Sequence, residues 1–378
     1  MKSDRRNWPA AFVVCTTIAC HAGACAEDGP AGITIPSVFG PFDRNAAGCN
    51  PPPSLNKSLA FAQDNDREFV KGIARGVAMA AKDRGLSFSA SVADNSAEKM
   101  IEQVDGFRDA RTGGLVVAPV DPAALAPALR RMIWQGAYVG AVVPPPATSL
   151  LNAPQYLTGK VLGDAAGNYI RGKLGGKANV VILTHDSLQF LAPRFAAMRD
   201  VLKDIPGADV VADISPPTVN KEGGYKMMQT ILLAHPDVDV VLGADTVVLG
   251  ALQAVREAGK ERPDQFFGGI DGEVEAVTEI KKGGPYKISI SLASSVFGYA
   301  MGQHAADWLD GKSIPQAMDI LPSALTASNM RQYEADLANP AAVFHDSARR
   351  DAYLKMYGNI CYDTRDQYVS FPWSSESR

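Results

Sequence analysis

The sequence of 378 residues has no excess of positive charge, because 37 Lys and Arg residues face 41 Asp and Glu residues and the net charge is −4. Proteins that bind nucleic acids through bulk charge need such an excess, so no nucleic-acid partner is expected. The composition, 46% hydrophobic and 21% charged, is that of a globular protein rather than a disordered or fibrous one. A chain of this length is expected to form about two domains.

Long apolar runs are missing as well. Beyond the N-terminus, no stretch reaches the roughly 20 apolar residues that a membrane-spanning helix needs. Every strand-like run is broken by a charged residue, a glycine or a proline. The sequence therefore argues against an integral membrane protein.

The N-terminus has the pattern of an export signal. Three basic residues among the first six precede an apolar segment, residues 8–20, and small residues follow up to Ala24-Cys25-Ala26. A basic region, a short apolar region and an A-x-A site are typical of a secretory signal peptide, which predicts cleavage after Ala26 and a periplasmic protein. A short buried helix is the alternative. Lipid attachment at Cys20 or Cys25 stays open.

Cysteine is scarce, and three of the five cysteines lie in the signal segment. The two that remain, Cys49 and Cys361, make an even pair in an exported chain, which favours a disulfide. Such a bond would close a loop of roughly 300 residues, and a chain-entropy model gives it several kcal/mol of stabilisation. Two unpaired buried thiols are the alternative.

From residue 58 onward, strand and helix patterns alternate along the chain. Phe69, Val70, Ile73 and Val77 recur at helical spacing in the first predicted helix, residues 68–84. Strands separated by helices of this length predict parallel α/β sheets, here two doubly wound lobes with a ligand crevice at the carboxyl ends of the strands. The predicted strands are 59–63, 87–92, 114–118, 138–143, 179–183, 209–214, 238–243, 266–270 and 287–292.

Motifs for catalysis, metals or cofactors are missing. No two of the four His residues after the signal lie within helical or hairpin reach of each other, so no metal site is predicted. Gly167, Gly172 and Lys173 imitate a phosphate-binding loop, but Leu174 stands where Ser or Thr is required. No G-x-S-x-G elbow marks a hydrolase, and no G-x-G-x-x-G between a strand and a helix marks a dinucleotide site. We predict neither an enzyme nor a cofactor.

Polar side chains follow several of the predicted strands. Each carboxylate among them could simply cap the helix that comes next. Their grouping around one crevice instead favours a polar ligand, because carboxylate and guanidinium groups can each bind two neighbouring hydroxyls of a sugar or polyol. These residues are Asp64, Asp66, Arg67 and Glu68 after the first strand, and His185, Asp186, Asp245 and Asp271 after later strands.

Several stretches carry a family resemblance. They are the helix that contains Phe69, GGLVVAP at 113–119, LLAHPDV at 232–238, Asp245 leading to LGAL at 249–252, and IDG at 270–272. In this order they make residues 58 to about 329 similar to the periplasmic sugar-binding proteins of the ribose/galactose type, which share their fold with lac-repressor-like regulators. The resemblance implies two lobes joined by three crossing strands, hinged closure around a ligand, and delivery to the permease of an ABC importer.

The resemblance also implies the ligand site. Arg194 occupies the position of a sugar-binding Arg, Asp271 that of a sugar-binding Asp, and Phe69 that of an aromatic residue that flanks the sugar. Asp66 and Glu68 fall in the same loop as Phe69. The complete predicted set is Asp66, Glu68, Phe69, Arg194, Asp245, Asp271 and Ser291.

Other positions depart from the family pattern. Val143-Pro144 replaces an Asp-Arg pair, Ala244 replaces an Asn, and Ser291-Leu292 stands where Gln is usual. Hydroxyls left without partners cost about 1–3 kcal/mol each, which argues against simple ribose. A larger, less hydroxylated or cationic ligand is expected, and Asp64, Asp66 and Glu68 support the cationic alternative.

The expected organisation follows from these patterns. Hinge segments are expected near Gly159, Leu292 and Leu321, and the aromatic tail is expected to pack on one lobe rather than bind a partner. A monomeric transport protein is favoured; a sensor subunit that presents its closed form to a chemoreceptor or histidine kinase is the alternative. The predicted domains are 1–26 signal peptide, 27–57 N-terminal extension, 58–159 plus 293–322 lobe one, 160–292 plus 323–340 lobe two, and 341–378 C-terminal extension.

Overall fold

The computed structural model describes residues 39–142, 146–186, 188–370, 373 and 375–376. The predicted signal peptide lies outside these residues. In the part of the chain that is described, no helix combines the length and apolar character needed to cross a bilayer.

From residue 56 to residue 309 the described chain alternates strands and helices, except that the strand at 138–141 is followed by another strand at 149–152, and it ends in shorter elements. The strands are β1 (Asn56–Gln63), β2 (Ser87–Val92), β3 (Thr112–Val117), β4 (Tyr138–Ala141), β5 (Ser149–Asn152), β6 (Lys177–Leu183), β7 (Gly207–Ile214), β8 (Val240–Leu242), β9 (Phe266–Asp271), β10 (Tyr286–Ser291), β11 (Ala317–Ile320), β12 (Ser323–Leu325) and β13 (Leu354–Tyr357). The helices are α1 (Glu68–Asp83), α2 (Ala97–Asp109), α3 (Pro122–Gln135), α4 (Gln155–Lys173), α5 (Ala192–Lys203), α6 (Lys221–Ala234), α7 (Asp245–Glu257), α8 (Val274–Lys281), α9 (Ser294–Leu309), α10 (Met330–Ala338), α11 (Pro340–His345) and α12 (Ser347–Tyr353).

The strands form two sheets of the same design. The first has the order β13-β11-β5-β4-β3-β1-β2 and the second the order β12-β10-β9-β8-β6-β7. Strands β1 to β5 are parallel in the first, β6 to β10 are parallel in the second, and β13 and β12 are the antiparallel edges. This confirms two doubly wound α/β lobes, whose strand order reverses at β1/β3 in lobe one and at β6/β8 in lobe two.

Local sequence explains why these elements form. The central strands are covered by helices on both faces and therefore read as continuous apolar runs, such as Val180-Val181-Ile182-Leu183 in β6. Helix α1 instead buries one stripe that includes Val70, Ile73 and Val77, and its other face is in contact with solvent.

Three segments carry the chain between the lobes, at residues 152–155, 291–294 and 320–323. The last two lie at the expected hinge residues Leu292 and Leu321. The first lies before the expected residue, Gly159, which belongs to the interior of α4. The early turns of α4 contain Thr158 and Gly159, which are weak helix formers, and packing on lobe two overrides their low propensity.

The close approach of α4 and α5 depends on Gly159. A Cβ atom there would lie 1.8 Å from the carbonyl oxygen of Arg194. We expect Gly159→Ala to lower the free energy of unfolding by about 1–3 kcal/mol, because the two helices would have to separate. Gly172→Ala on the same helix is the matched control, since its Cβ would meet no atom within 4 Å. Urea denaturation of both variants tests this, and equal stabilities would contradict it.

The described parts of both chain extensions pack on lobe one, and Glu376 of the C-terminal extension also contacts α4 of lobe two. Strand β13 pairs with β11, and Pro41 forms a bridge to Tyr357. Trp373 packs against Phe39 and Tyr357, with ring centroids 6.0 and 5.2 Å away. The structure brings Cys49 and Cys361 together with their Cα atoms 6.1 Å apart, a spacing typical of disulfides.

Candidate ligand-binding site

A cavity lies between the lobes where the two points of strand-order reversal face each other. It contains about 910 Å³ of space, its open mouth included. Lobe one lines it with Asp64, Arg67, Phe69, Ala118, Pro119 and Val142, and the crossing segments add Ala153, Leu292 and Ile320. Lobe two lines it with Gln155, His185, Leu188, Phe190, Leu191, Arg194, Phe195, Val219, Ala244, Thr246 and Asp271.

Arg194 reaches the cavity from the first turn of α5 and is only 6% exposed. Its Nε donates a hydrogen bond of 3.0 Å to Oε1 of Gln155, the first residue of α4. Burial lowers the pKa of Arg194 and Arg67 lowers it further, whereas Asp271 raises it. Among the described residues, the Nε contact is its only hydrogen bond, so its terminal nitrogens can bind a ligand.

Asp271 ends β9 on the same side of the cavity. Its φ of +125° is a conformation that L-residues rarely adopt, and such strain is typical of functional sites. Burial raises the pKa of its carboxyl group, while Arg194 and Arg67 lower it. No group among the described residues donates a hydrogen bond to this carboxylate, so both oxygens can accept from a ligand.

Lobe one contributes an aromatic and an ion pair. Arg67 Nη2 lies 3.1 Å from Asp64 Oδ2, and the guanidinium carbon lies 6.0 Å from the centre of the Phe69 ring. Phe297 supports that ring from behind at 5.9 Å. Arg67 Nε is buried and has no partner among the described atoms, which leaves one more donor beside the cavity.

His185 and Gln155 are cavity residues that the predicted ligand set does not contain. His185 follows β6, and burial together with Arg67 and Arg194 lowers its pKa to about 4, so the imidazole is neutral at pH 7. A neutral imidazole has one donor and one acceptor. The position of His185 after a strand is visible in the sequence, but no sequence signal marks Gln155, the first residue of α4.

Asp66 and Glu68 lie beside the cavity-lining residues but outside the lining. The Asp66 carboxylate is 79% exposed and pairs with Lys71 at 3.2 Å, and Glu68 pairs with Arg75 at 2.7 Å. Helix α1 begins at Glu68, so successive side chains point in different directions, and of Asp66, Glu68 and Phe69 only Phe69 lines the cavity.

Asp245 and Ser291 lie beneath the cavity instead of lining it. Asp245 is fully buried and accepts hydrogen bonds from Tyr286 Oη at 2.7 Å, Ser289 Oγ at 2.6 Å and Glu273 N at 2.9 Å. Burial raises its pKa to about 7. Ser291 Oγ accepts a bond from the backbone N–H of Ala293 at 3.0 Å. Both residues therefore fix the backbone that carries Asp271 and the second crossing.

Known proteins resemble this chain over most of its length. The model of the periplasmic binding protein domain matches residues 59–331. The ribose import binding protein of Bacillus subtilis is 27% identical over 66% of this chain and 80% of its own length. The xylitol-binding protein of Mycolicibacterium smegmatis is 27% identical over 82% of this chain and 86% of its own length.

Solved structures agree at the level of the fold. An ABC transporter solute-binding protein from Bacillus halodurans with bound myo-inositol superposes with a TM-score of 0.65 at 19% identity, covering 75% of this chain and 98% of that one. The domain match, the sequence relatives and the two-lobed architecture point the same way. The chain belongs to the periplasmic binding protein domain family.

Proposed function

We propose that this protein captures a neutral sugar or polyol between its lobes and delivers it to the permease of an ABC importer. The observation that carries the proposal is the pair formed by Arg194 and Asp271. Both side chains line the cavity, both are largely withdrawn from water, and both keep hydrogen-bonding capacity that the described residues do not use. Adjacent hydroxyls on a ring or chain match such a pair.

The charge balance of the cavity favours a neutral ligand. Two carboxylates, Asp64 and Asp271, face two guanidinium groups, Arg67 and Arg194. The support that Asp66 and Glu68 gave to a cationic ligand is removed by their ion pairs with Lys71 and Arg75 outside the lining.

Apolar residues define the rest of the ligand. Phe69 and Phe190 offer rings for the apolar face of a sugar, and Ala244 and Leu292 line the wall without hydrogen-bonding side chains. We infer a ligand with one hydroxyl-rich edge and one apolar face, consistent with the expectation against simple ribose. The relatives named above bind ribose and xylitol, and the structural neighbour holds myo-inositol.

Capture works by closure. Because both lobes contribute to the cavity, a ligand makes its full set of contacts only when the lobes are together, and binding shifts the population towards that form. A micromolar dissociation constant corresponds to about −8 kcal/mol, which several charge-assisted hydrogen bonds and stacking can supply. Binding without turnover is proposed, and the relatives named above are binding proteins.

Export and the choice of partner complete the proposal. The chain is proposed to reach the periplasm through its signal peptide, with Glu27 as the first mature residue, and to act as a monomer. The alternative, a sensor subunit for a chemoreceptor or histidine kinase, uses the same capture step. A permease encoded beside this gene would favour transport.

A thermal-shift panel on the mature protein tests the ligand class. We expect neutral compounds, among them D-ribose, xylitol, myo-inositol, D-allose and L-arabinose, to include at least one that raises the melting temperature. Ligand at 100 times its dissociation constant stabilises the folded state by about 2.7 kcal/mol. A shift confined to cations such as putrescine and glucosamine would favour the cationic alternative, and the absence of any shift by the neutral compounds would contradict the proposal.

A further inference from the structure

The C-terminal segment that comprises Trp373, Ser375 and Glu376, here called the strap, runs from lobe one to lobe two. Trp373 is 4% exposed and anchors the strap among the aromatic rings of lobe one. The hydroxyl of Ser375 interacts with Asp319 and Tyr357. Asp319 also accepts a hydrogen bond of 2.9 Å from Asn152 Nδ2, at the end of β5, so this anchor lies beside the first crossing.

The residue after Ser375 contacts the other lobe. Glu376 Oε2 accepts a hydrogen bond of 3.1 Å from the backbone N–H of Tyr156, and Oε1 accepts one of 2.7 Å from that of Leu157. These two N–H groups belong to the first turn of α4. They are among the donors that no helix can satisfy internally.

Helix α4 has no cap of its own. Its N-cap residue is Pro154, which offers no side-chain acceptor, and its first turn contains no acidic residue. A carboxylate at a helix N-terminus is stabilising because it accepts these hydrogen bonds and lies at the positive end of the helix dipole. Glu376, more than 200 residues away in the sequence, therefore provides the side-chain acceptor that the residues at the start of α4 lack.

The capped turn is also part of the cavity wall. Gln155, the residue before Tyr156, is buried and accepts the hydrogen bond from Arg194 Nε. A fixed first turn of α4 thus fixes the orientation of Gln155, and Gln155 fixes the guanidinium group of Arg194.

We propose that Glu376 is a positioning residue for ligand binding: docked on α4, it orients Gln155 and Arg194 and holds the lobes in the arrangement in which both line the cavity. The strap acts as a fourth connection beside the three covalent crossings. It lies beyond residue 331, where the family match ends, so it is an addition to the shared domain. The effect on ligand affinity rests on the proposed function; docking of the strap does not.

Hydrogen exchange on the ligand-free mature protein tests docking. In Glu376→Gln one of the two acceptor oxygens becomes an amide NH₂, which faces a backbone donor. We expect the amides of Tyr156 and Leu157 to exchange about tenfold faster, as the loss of a helix cap implies. Glu222→Gln is the control, because Glu222 is an exposed carboxylate paired with Lys226 on α6. Unchanged exchange of the Tyr156 and Leu157 amides would contradict the docking of the strap on α4.

Calorimetric titration with D-ribose, xylitol and myo-inositol tests positioning. We expect Glu376→Gln to weaken binding of whichever of these binds the unmodified protein by about tenfold. Glu376→Asp, which keeps both oxygens, should recover part of the loss, and Glu222→Gln should change nothing. Faster exchange with unaltered affinity would overturn the positioning role. If neither these three compounds nor the other neutral compounds of the thermal-shift panel bind the unmodified protein, the proposed ligand class fails, while the exchange result still decides whether the strap is docked.

Discussion

Replacing Arg194 by alanine is expected to lower the affinity for the bound sugar or polyol by at least about 100-fold, because hydrogen bonds to charged groups are worth about 1.5–3 kcal/mol each. The variant also removes the lobe-two cation that acts on the Asp271 carboxylate, and it leaves Gln155 Oε1 without its donor. Both effects disfavour the closed form. Calorimetric titration with the compound that gives the largest thermal shift measures the loss.

The control for this variant lies on the same helix. Arg199 is 45% exposed, and its Nη2 donates a hydrogen bond of 2.7 Å to Asp213 outside the cavity. Arg199→Ala should leave the affinity within about twofold, since exposed ion pairs contribute little. Arg194→Lys should give an intermediate result, because it keeps the charge and loses the planar fork. Equal affinities of the Arg194→Ala and Arg199→Ala variants would show that Arg194 does not bind the ligand.

The second large effect concerns Cys49 and Cys361. We expect the double variant Cys49→Ser, Cys361→Ser to lose about 3–5 kcal/mol of unfolding free energy, because the bond restricts the unfolded chain over a long loop. The two residues are 312 positions apart, and the described parts of both extensions meet near the bond. Guanidinium denaturation, with and without a reductant, measures the loss.

The controls identify the bond itself. Reductant should lower the stability of the unmodified mature protein and leave the double variant unchanged. Mass spectrometry after alkylation of the unreduced, unfolded protein should find no label on Cys49 or Cys361. Two labels would establish free thiols and contradict the pairing.

Much of the fold is predictable from the sequence because burial leaves a readable pattern. A strand covered on both faces, such as β6, is apolar throughout, and a helix such as α1 has one apolar stripe. Strands β5, β11, β12 and β13 were not predicted: each contains at most two consecutive apolar residues, whereas the equally short β4 and β8 lie in longer apolar runs.

The candidate site was predictable only in part. The sequence indicates which residues follow a strand, and Phe69, Arg194 and Asp271 do line the cavity. It does not indicate side-chain direction, which depends on the residue at which the next helix begins. For that reason Glu68 lies outside the cavity while its neighbour Phe69 lies inside, and the carboxylate of Asp245 points into the fold.

Gly269 shows how closely the fold accommodates that buried carboxylate. A Cβ atom at this position would lie 1.8 Å from Asp245 Oδ1 and 2.2 Å from the hydroxyl of Tyr286. The glycine therefore provides the room that the carboxylate and its partners need. This constraint arises where β9, β10 and α7 come together, so it cannot be predicted from any single stretch of the sequence.

The repetition of one strand order in both lobes has a consequence for how ligand preference can diversify. The loops after β1 and β3 in one half correspond to those after β6 and β8 in the other, so each half presents an equivalent pair of recognition loops to opposite sides of the molecule it holds. Substitutions in one pair of loops can alter which ligand hydroxyls are hydrogen-bonded. The other pair and the three crossing segments are unchanged, so the closure of the lobes is retained. Ligand selectivity and lobe closure can therefore change independently, and the same two-lobed fold can bind many different polyols.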